Sequence, residues 1–270
     1  MLLALPALAG CSATRPGGGR SSGEAAIPRL AALASHDSMA GEPDAVLRWN
    51  AIPRGAPELR VVMHFHGFTG PSEALRLSQR LHGSGLVFPA SPPTVGIMVR
   101  GRPSARRAGS FDWPALAAPG GMEAVVMECL AALGPGLPPV TRLVLTAHSG
   151  GGGGLLGALN TSDSGRARVD ETHFHDALYG DSGPVLRWIS ARVSAERNGL
   201  PPSALLVIAR PVSSTERPAR SLAAGLARTG LGSPTRRVLF TAAPHNDVAL
   251  LFGPALLADA AAALPGTVSV

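Results

Sequence analysis

Leu143-Val144-Leu145-Thr146-Ala147-His148-Ser149-Gly150-Gly151 is an apolar run that stops at a serine and passes straight into glycine. Glycine continues unbroken to Gly154, and Leu155, Leu156 and Leu159 then recur at helical spacing. The stretch reads as a strand, a sharp turn with Ser149 at its tip, and a helix. Such a turn needs small residues two before and two after the serine, because neighbouring backbone passes close by. Ala147 and Gly151 meet that need. A glycine early in a helix costs up to about 1 kcal/mol relative to alanine. A run from Gly150 to Gly154 therefore implies that something must approach the backbone closely there.

Working outward, Val61-Val62-Met63-His64-Phe65-His66-Gly67 is a second apolar run ending in a polar turn. Further apolar runs occupy 94–100 and 204–210, residues 172–181 read as a strand leading into a turn, and Arg237-Val238-Leu239-Phe240-Thr241 is the last apolar run before a C-terminal helix over 248–263. Residues 44–52 suggest an early strand paired with 60–66. Helical spacing recurs over 72–82, 121–133, 184–197 and 216–228, with Pro184 in a first turn and Gly199 just past an end. Strands alternating with helices imply an α/β fold: a mostly parallel central sheet with helices on both faces, a three-layer sandwich. Right-handed crossovers place all strand C-terminal ends on one edge. Residues 66, 149, 181 and 245 can then converge despite their separation.

Three landmarks in this order, His66-Gly67, Ala147-His148-Ser149-Gly150-Gly151 and His245, resemble the α/β-hydrolase superfamily over roughly residues 44 to 265. The Ala-His-Ser-x-Gly form is similar to that of some small bacterial lipases. The resemblance implies a serine hydrolase acting on an ester or amide through an acyl-enzyme. Ser149 would be the nucleophile and His245 the base. An unactivated hydroxyl is a weak nucleophile, and imidazole titrates near the working pH. The backbone N–H groups of Phe68 (or Gly67) and Gly150 would form the oxyanion hole. The chain order Ser, acid, His places the acid between Ser149 and His245. Asp181, at the end of the 172–181 run, is the preferred residue, with Asp176 and Glu216 as alternatives. The strand at 204–210, which the acid more usually follows, is followed by no Asp before Glu216.

Other readings compete. Gly152-Gly153-Gly154-Leu155-Leu156-Gly157 fits the dinucleotide fingerprint G-x-G-x-x-G. It sits mid-chain rather than in an opening βαβ unit. His64-x-His66 and His173-x-His175 could each chelate a metal from one strand face, giving a metal-dependent hydrolase. A non-catalytic surface lipoprotein with a hydrolase-like fold is a third class. No cofactor is expected, and the substrate is expected to be a small-molecule or cell-envelope ester or amide.

The 270 residues, 45% hydrophobic, suit one α/β domain. All 24 basic residues are arginine, and the net charge is +6. Arg100, Arg102, Arg106 and Arg107 form the densest basic cluster, read as a solvated loop. Phe111 and Trp113, in the Pro/Gly/Arg-rich stretch 101–120, are read as an exposed lid or pocket wall. Aromatics make up 4% of the chain, too few for base-stacking platforms, so nucleic-acid binding is not expected. Residues 1–11 form an apolar segment ending Leu8-Ala9-Gly10-Cys11, which resembles a bacterial lipobox and implies a lipid anchor on Cys11. On that reading the protein is exported and membrane-tethered in a bacterial cell envelope. Residues 12–30 form a flexible tether and 31–270 a single domain. Cys129, on a helical apolar stripe, is expected to be a buried thiol.

Overall fold

The computed structural model describes residues 19–36, 42–69, 76–106, 108–161, 169–253 and 267–269. Its centre is a nine-stranded sheet in the order β1-β2-β4-β3-β7-β8-β9-β10-β11. The strands are β1 (Gly23–Ile27), β2 (Ala45–Trp49), β3 (Leu59–Phe65), β4 (Thr94–Val99), β7 (Val140–His148), β8 (Glu171–His175), β9 (Ala204–Ala209), β10 (Arg236–Thr241) and β11 (Thr267–Ser269). From β4 across to β10 every pairing is parallel. β1, β2 and β11 run antiparallel at the two edges. β5 (Arg102–Pro103) and β6 (Phe111–Asp112) form a small separate hairpin.

Sheets of this kind are covered on both faces, so their central strands are buried and mostly apolar, although β8 buries Glu171, His173 and His175. β4 and β9 are buried at every position. On one face lie α2 (Gly121–Ala132), α3 (Gly152–Thr161), α4 (Gly183–Arg197) and α5 (Glu216–Thr229). Their Met122, Leu155, Trp188 and Leu222 share a core with Val61, Leu145, Phe174 and Val207 of the sheet. On the other face, Leu77 and Leu81 of α1 (Leu77–His82) pack on Val62 and Val144. There too, Val248 and Phe252 of α6 (Val248–Phe252) pack on Leu206 and Leu239. The fold is therefore the expected three-layer α/β sandwich.

Several local expectations are corrected. β2 pairs with β1 and β4, not with β3, because β4 is inserted between them. An apolar pattern defines a strand but not its neighbour. Gly23–Ile27, expected within the tether, is the edge strand β1. Its small residues have weak strand propensity, so backbone pairing with β2 sets its conformation. β8 stops at His175 rather than running on to residue 181. Trp113 is buried, packing edge-on against Phe65 at 5.6 Å and against His66 at 5.1 Å. Arg100 is also buried, with Nη2 donating to Asp44 Oδ1 at 2.7 Å. The pairing of Ala45 with Val99 brings these two flanking residues together. Cys129 is buried in the core, and burial pushes its thiol pKa up to about 12. Of the expected helices 72–82 and 248–263, only α1 and α6 fall within the described residues. Arg107 and the segment around Cys11 lie outside them.

Candidate active site

β7 ends at His148, and Ser149 to Gly151 form one tight helical turn before α3 begins. Ser149 has φ of 51°, the left-handed region that a residue with a Cβ rarely adopts. Close packing fixes this turn. A Cβ on Gly151 would lie 2.2 Å from the Phe65 carbonyl oxygen, and one on Gly152 would lie 1.7 Å from that of Ala177. One on Gly154 would meet Trp113 at 2.5 Å. The glycine run thus lets the elbow seat against β3 and the segment after β8, which accounts for its helix penalty without a dinucleotide. The run's fit to G-x-G-x-x-G then needs no ligand.

His245 opens a short turn just past β10. Its Nε2 lies 2.8 Å from Ser149 Oγ and its Nδ1 lies 2.7 Å from Asp176 Oδ2. A carboxylate only accepts, so Nδ1 carries the proton and Nε2 is free to accept from the serine. Asp176 is 2% exposed, sits immediately after β8, and has φ of 46°. Its other oxygen accepts a short hydrogen bond from the Thr215 hydroxyl, and Arg210 lies 4.0 Å away. Burial opposes its ionisation. The hydrogen bonds from His245 and Thr215 outweigh burial and, with the positive charges nearby, hold the pKa below the usual carboxylate range.

The carboxylate on the imidazole is therefore Asp176, and the preference for Asp181 is corrected. Asp181 Oδ1 instead accepts the Gly183 N–H at 2.9 Å, at the start of α4. The apolar run through Ala177 and Leu178 made β8 look longer than it is. Glu216 is engaged elsewhere, with Val212 N and Arg220 Nε as donors. Residues 171–175 follow strand alternation, and Asp176 is the first beyond the edge.

Sequence reasoning missed three neighbours. His148 Nε2 donates to the His245 carbonyl at 2.9 Å, and the two rings are 4.8 Å apart. Burial lowers the His148 pKa, so this ring is a neutral clamp on the His245 turn. The Tyr179 phenol lies near the Ser149 side chain. Thr215 stands in the loop after β9, where an acid was sought, and holds Asp176 instead. Its signal was the Asp-free loop itself. At the other wall, a Cβ on Gly150 would stand 3.4 Å from Phe68 N, and one on Gly67 would stand 3.1 Å from Ser149 Cβ. Main chain from the turn after β3 thus abuts the serine.

Of the four histidines considered for metal, His173 and His175 pack ring to ring at 5.7 Å, and His64 and His66 are bonded elsewhere. His64 Nδ1 bonds to Thr146 Oγ1 at 2.8 Å, and His173 Nε2 to Glu171 Oε1 at 2.6 Å. His66 accepts the Gly101 N–H at Nε2 and bonds to the Gly67 carbonyl through Nδ1. Burial lowers the pKa of His64 to about 3 and of His66 to about 4. Among the described residues, no group of three or more His, Cys, Asp or Glu is arranged to hold a metal ion. Among them, too, no helix is long and apolar enough to cross a membrane.

No protein-family model matches the chain, and no curated protein matches it. Solved structures similar to it include a bacterial heroin esterase, at 15% identity over 78% of this chain and 72% of that one, with a TM-score of 0.42. Esterase B from Lactobacillus Rhamnosis is 14% identical over 80% and 78% of the two chains, with a TM-score of 0.43. The same esterase inhibited by a tributyrin phosphonate matches at 15% over 80% and 77%, again with a TM-score of 0.43. Overlap this loose leaves the functional reading to the geometry of Ser149, His245 and Asp176.

Proposed function

We propose that this chain is a serine hydrolase that cleaves a carboxylic ester or amide through an acyl-enzyme. One observation carries the reading: a hydroxyl, an imidazole and a buried carboxylate linked at 2.8 and 2.7 Å. His245 Nε2 takes the proton as Ser149 Oγ bonds to the substrate carbonyl carbon. The carbonyl oxygen becomes an oxyanion facing the N–H groups of Phe68 and Gly150. Asp176 holds the imidazole tautomer and stabilises the imidazolium. Collapse of the tetrahedral intermediate breaks the bond to the leaving alcohol or amine, which receives the proton from His245. Water then attacks the acyl-enzyme, His245 again moving the proton, and releases the acid.

The test is labelling with a fluorophosphonate probe, which phosphonylates an activated serine with loss of fluoride. The wild-type chain becomes labelled and hydrolyses a p-nitrophenyl ester. Ser149→Ala loses both, with turnover down by about 10⁴-fold or more. Labelling that persists in Ser149→Ala removes Ser149 as nucleophile. We further propose, from the lipobox resemblance, that Cys11 carries a lipid anchor. A Cys11→Ser chain made in a bacterium that incorporates labelled palmitate then shows no incorporation.

A further inference from the structure

A cavity of about 700 Å³ opens beside the catalytic turn, on the face of the sheet covered by α1. Gly67, Phe68, His148 and Asn246 form the wall it shares with the Ser149–His245 pair. Its remaining polar lining is one-sided. Arg76 and Arg80 line it from the α1 segment together with the imidazoles of His64 and His66, and among the described residues no carboxylate lines it. Arg76 has a counter-ion, with Glu42 Oε1 at 3.7 Å, and is largely exposed. Arg80 is half-buried and, among the described residues, has no carboxylate partner. Burial is the main reason that His66 and His148 resist protonation, and the nearby Arg80 guanidinium adds a smaller push in the same direction. A half-buried cation with no carboxylate beside it among the described residues gains by pairing with an anionic ligand, because water screens its charge only in part. A guanidinium in a concave site suits an oxyanion group, which it can grip with two parallel N–H donors.

We propose that this cavity receives an anionic oxygen group, carboxylate or phosphate, on the substrate, with Arg80 as the specificity-determining residue. The inference rests on the serine-hydrolase reading for its catalytic consequence, though not for binding. The substrate is then a half-ester or half-amide whose second functional group is ionised. Its neutral counterpart leaves Arg80 unpaired.

The experiment uses the whole chain and two esters of similar acyl length, p-nitrophenyl butyrate and mono-p-nitrophenyl glutarate. Wild type prefers the glutarate ester, and Arg80→Gln lowers the ratio of their kcat/KM by about tenfold, mainly through KM. Arg80→Lys restores part of that ratio. Gln79→Glu, which adds a carboxylate to the same cavity wall at an exposed position, lowers it without removing packing. It decides the matter if Arg80→Gln fails to fold. Calorimetric titration of Ser149→Ala with glutarate and with inorganic phosphate separates the two anions and needs no turnover. Binding of either that weakens in Arg80→Gln/Ser149→Ala supports the proposal. A wild type with no preference between the esters, or a preference that survives both Arg80→Gln and Gln79→Glu, overturns it even where fluorophosphonate labels Ser149. Failure of labelling alongside Arg80-dependent anion binding overturns the hydrolase and leaves the anion site standing.

Discussion

Asp176→Asn separates the geometry described here from the alternative in which Asp181 serves His245. Asparagine is nearly isosteric, so the turn after β8 and its short hydrogen bond with Thr215 have no steric reason to move. What changes is the proton inventory. The carboxylate accepts from Nδ1 at 2.7 Å and leaves Nε2 unprotonated toward Ser149 at 2.8 Å. An amide placed there can turn its NH₂ toward the ring, which then carries its proton on Nε2 and cannot accept one from the serine. The variant also loses the negative charge that stabilises the imidazolium. Together these effects are worth about 10³- to 10⁴-fold in kcat, or about 4–5.5 kcal/mol of transition-state stabilisation. Asp181→Asn removes an exposed carboxylate whose observed partner is the Gly183 N–H. It should leave kcat within about twofold and cost at most about 1 kcal/mol of stability, as for loss of a helix cap. Steady-state kinetics on one chromogenic ester, with circular dichroism to confirm folding, reads both. A variant pair in which Asp181→Asn loses activity and Asp176→Asn keeps it refutes the assignment.

Two further outcomes follow from the packing. His64 and His66 are buried with pKa values of about 3 and about 4, against about 6.5 in an unfolded chain. The unfolded state therefore binds more protons below about pH 6.5, so stability is full above that pH and falls as pH drops toward the folded values. Between pH 7 and pH 5 each ring removes about 2 kcal/mol, together about 4. Urea unfolding at the two pH values checks this, and a flat profile across that window contradicts it. Gly152→Ala and Gly153→Ala should diverge. The first puts a methyl 1.7 Å from the Ala177 carbonyl oxygen, beside Asp176, and loses about 1–3 kcal/mol along with activity. The second meets nothing within 4 Å and gains up to about 1 kcal/mol from helix propensity. Thermal melts of the two variants measure the contrast.

Most of the sheet was legible because its central strands are buried on both faces, and at β3, β4, β7 and β9 burial writes itself as apolar runs. Ser149 and His245 were legible for a related reason: each stands where such a run stops. The edges were not. β1 is Gly-Glu-Ala-Ala-Ile, with one strand-favouring residue in five, and its pairing with β2 makes it a strand. The acid was misplaced for a similar reason. Ala177 and Leu178 are buried like strand residues, yet the chain has already left the sheet at Asp176. Asp176 turns there with a positive φ that its residue type permits but does not announce. The basic cavity beyond α1 was invisible altogether, since Arg80 lines it only once α1 is laid against β3 and β4.

Among the described residues, three non-glycine residues have positive φ, and two of them are Ser149 and Asp176. Each such conformation costs on the order of 1–3 kcal/mol and persists only where the surroundings over-determine it. Those surroundings differ at the two positions. Ser149 is held by backbone contact, with Gly151, Gly152 and Gly154 seated so closely on Phe65, Ala177 and Trp113 that the turn has no room to relax. Asp176 is held by hydrogen bonds, its N–H to the Ile208 carbonyl at 2.7 Å and its carboxylate to Thr215 and His245. The two supports meet at Ala177, which follows Asp176 and presses on Gly152 through its carbonyl. A displacement of either strained residue is therefore passed to the other, and the hydroxyl–imidazole–carboxylate distances depend on one shared contact between the segments that follow β7 and β8.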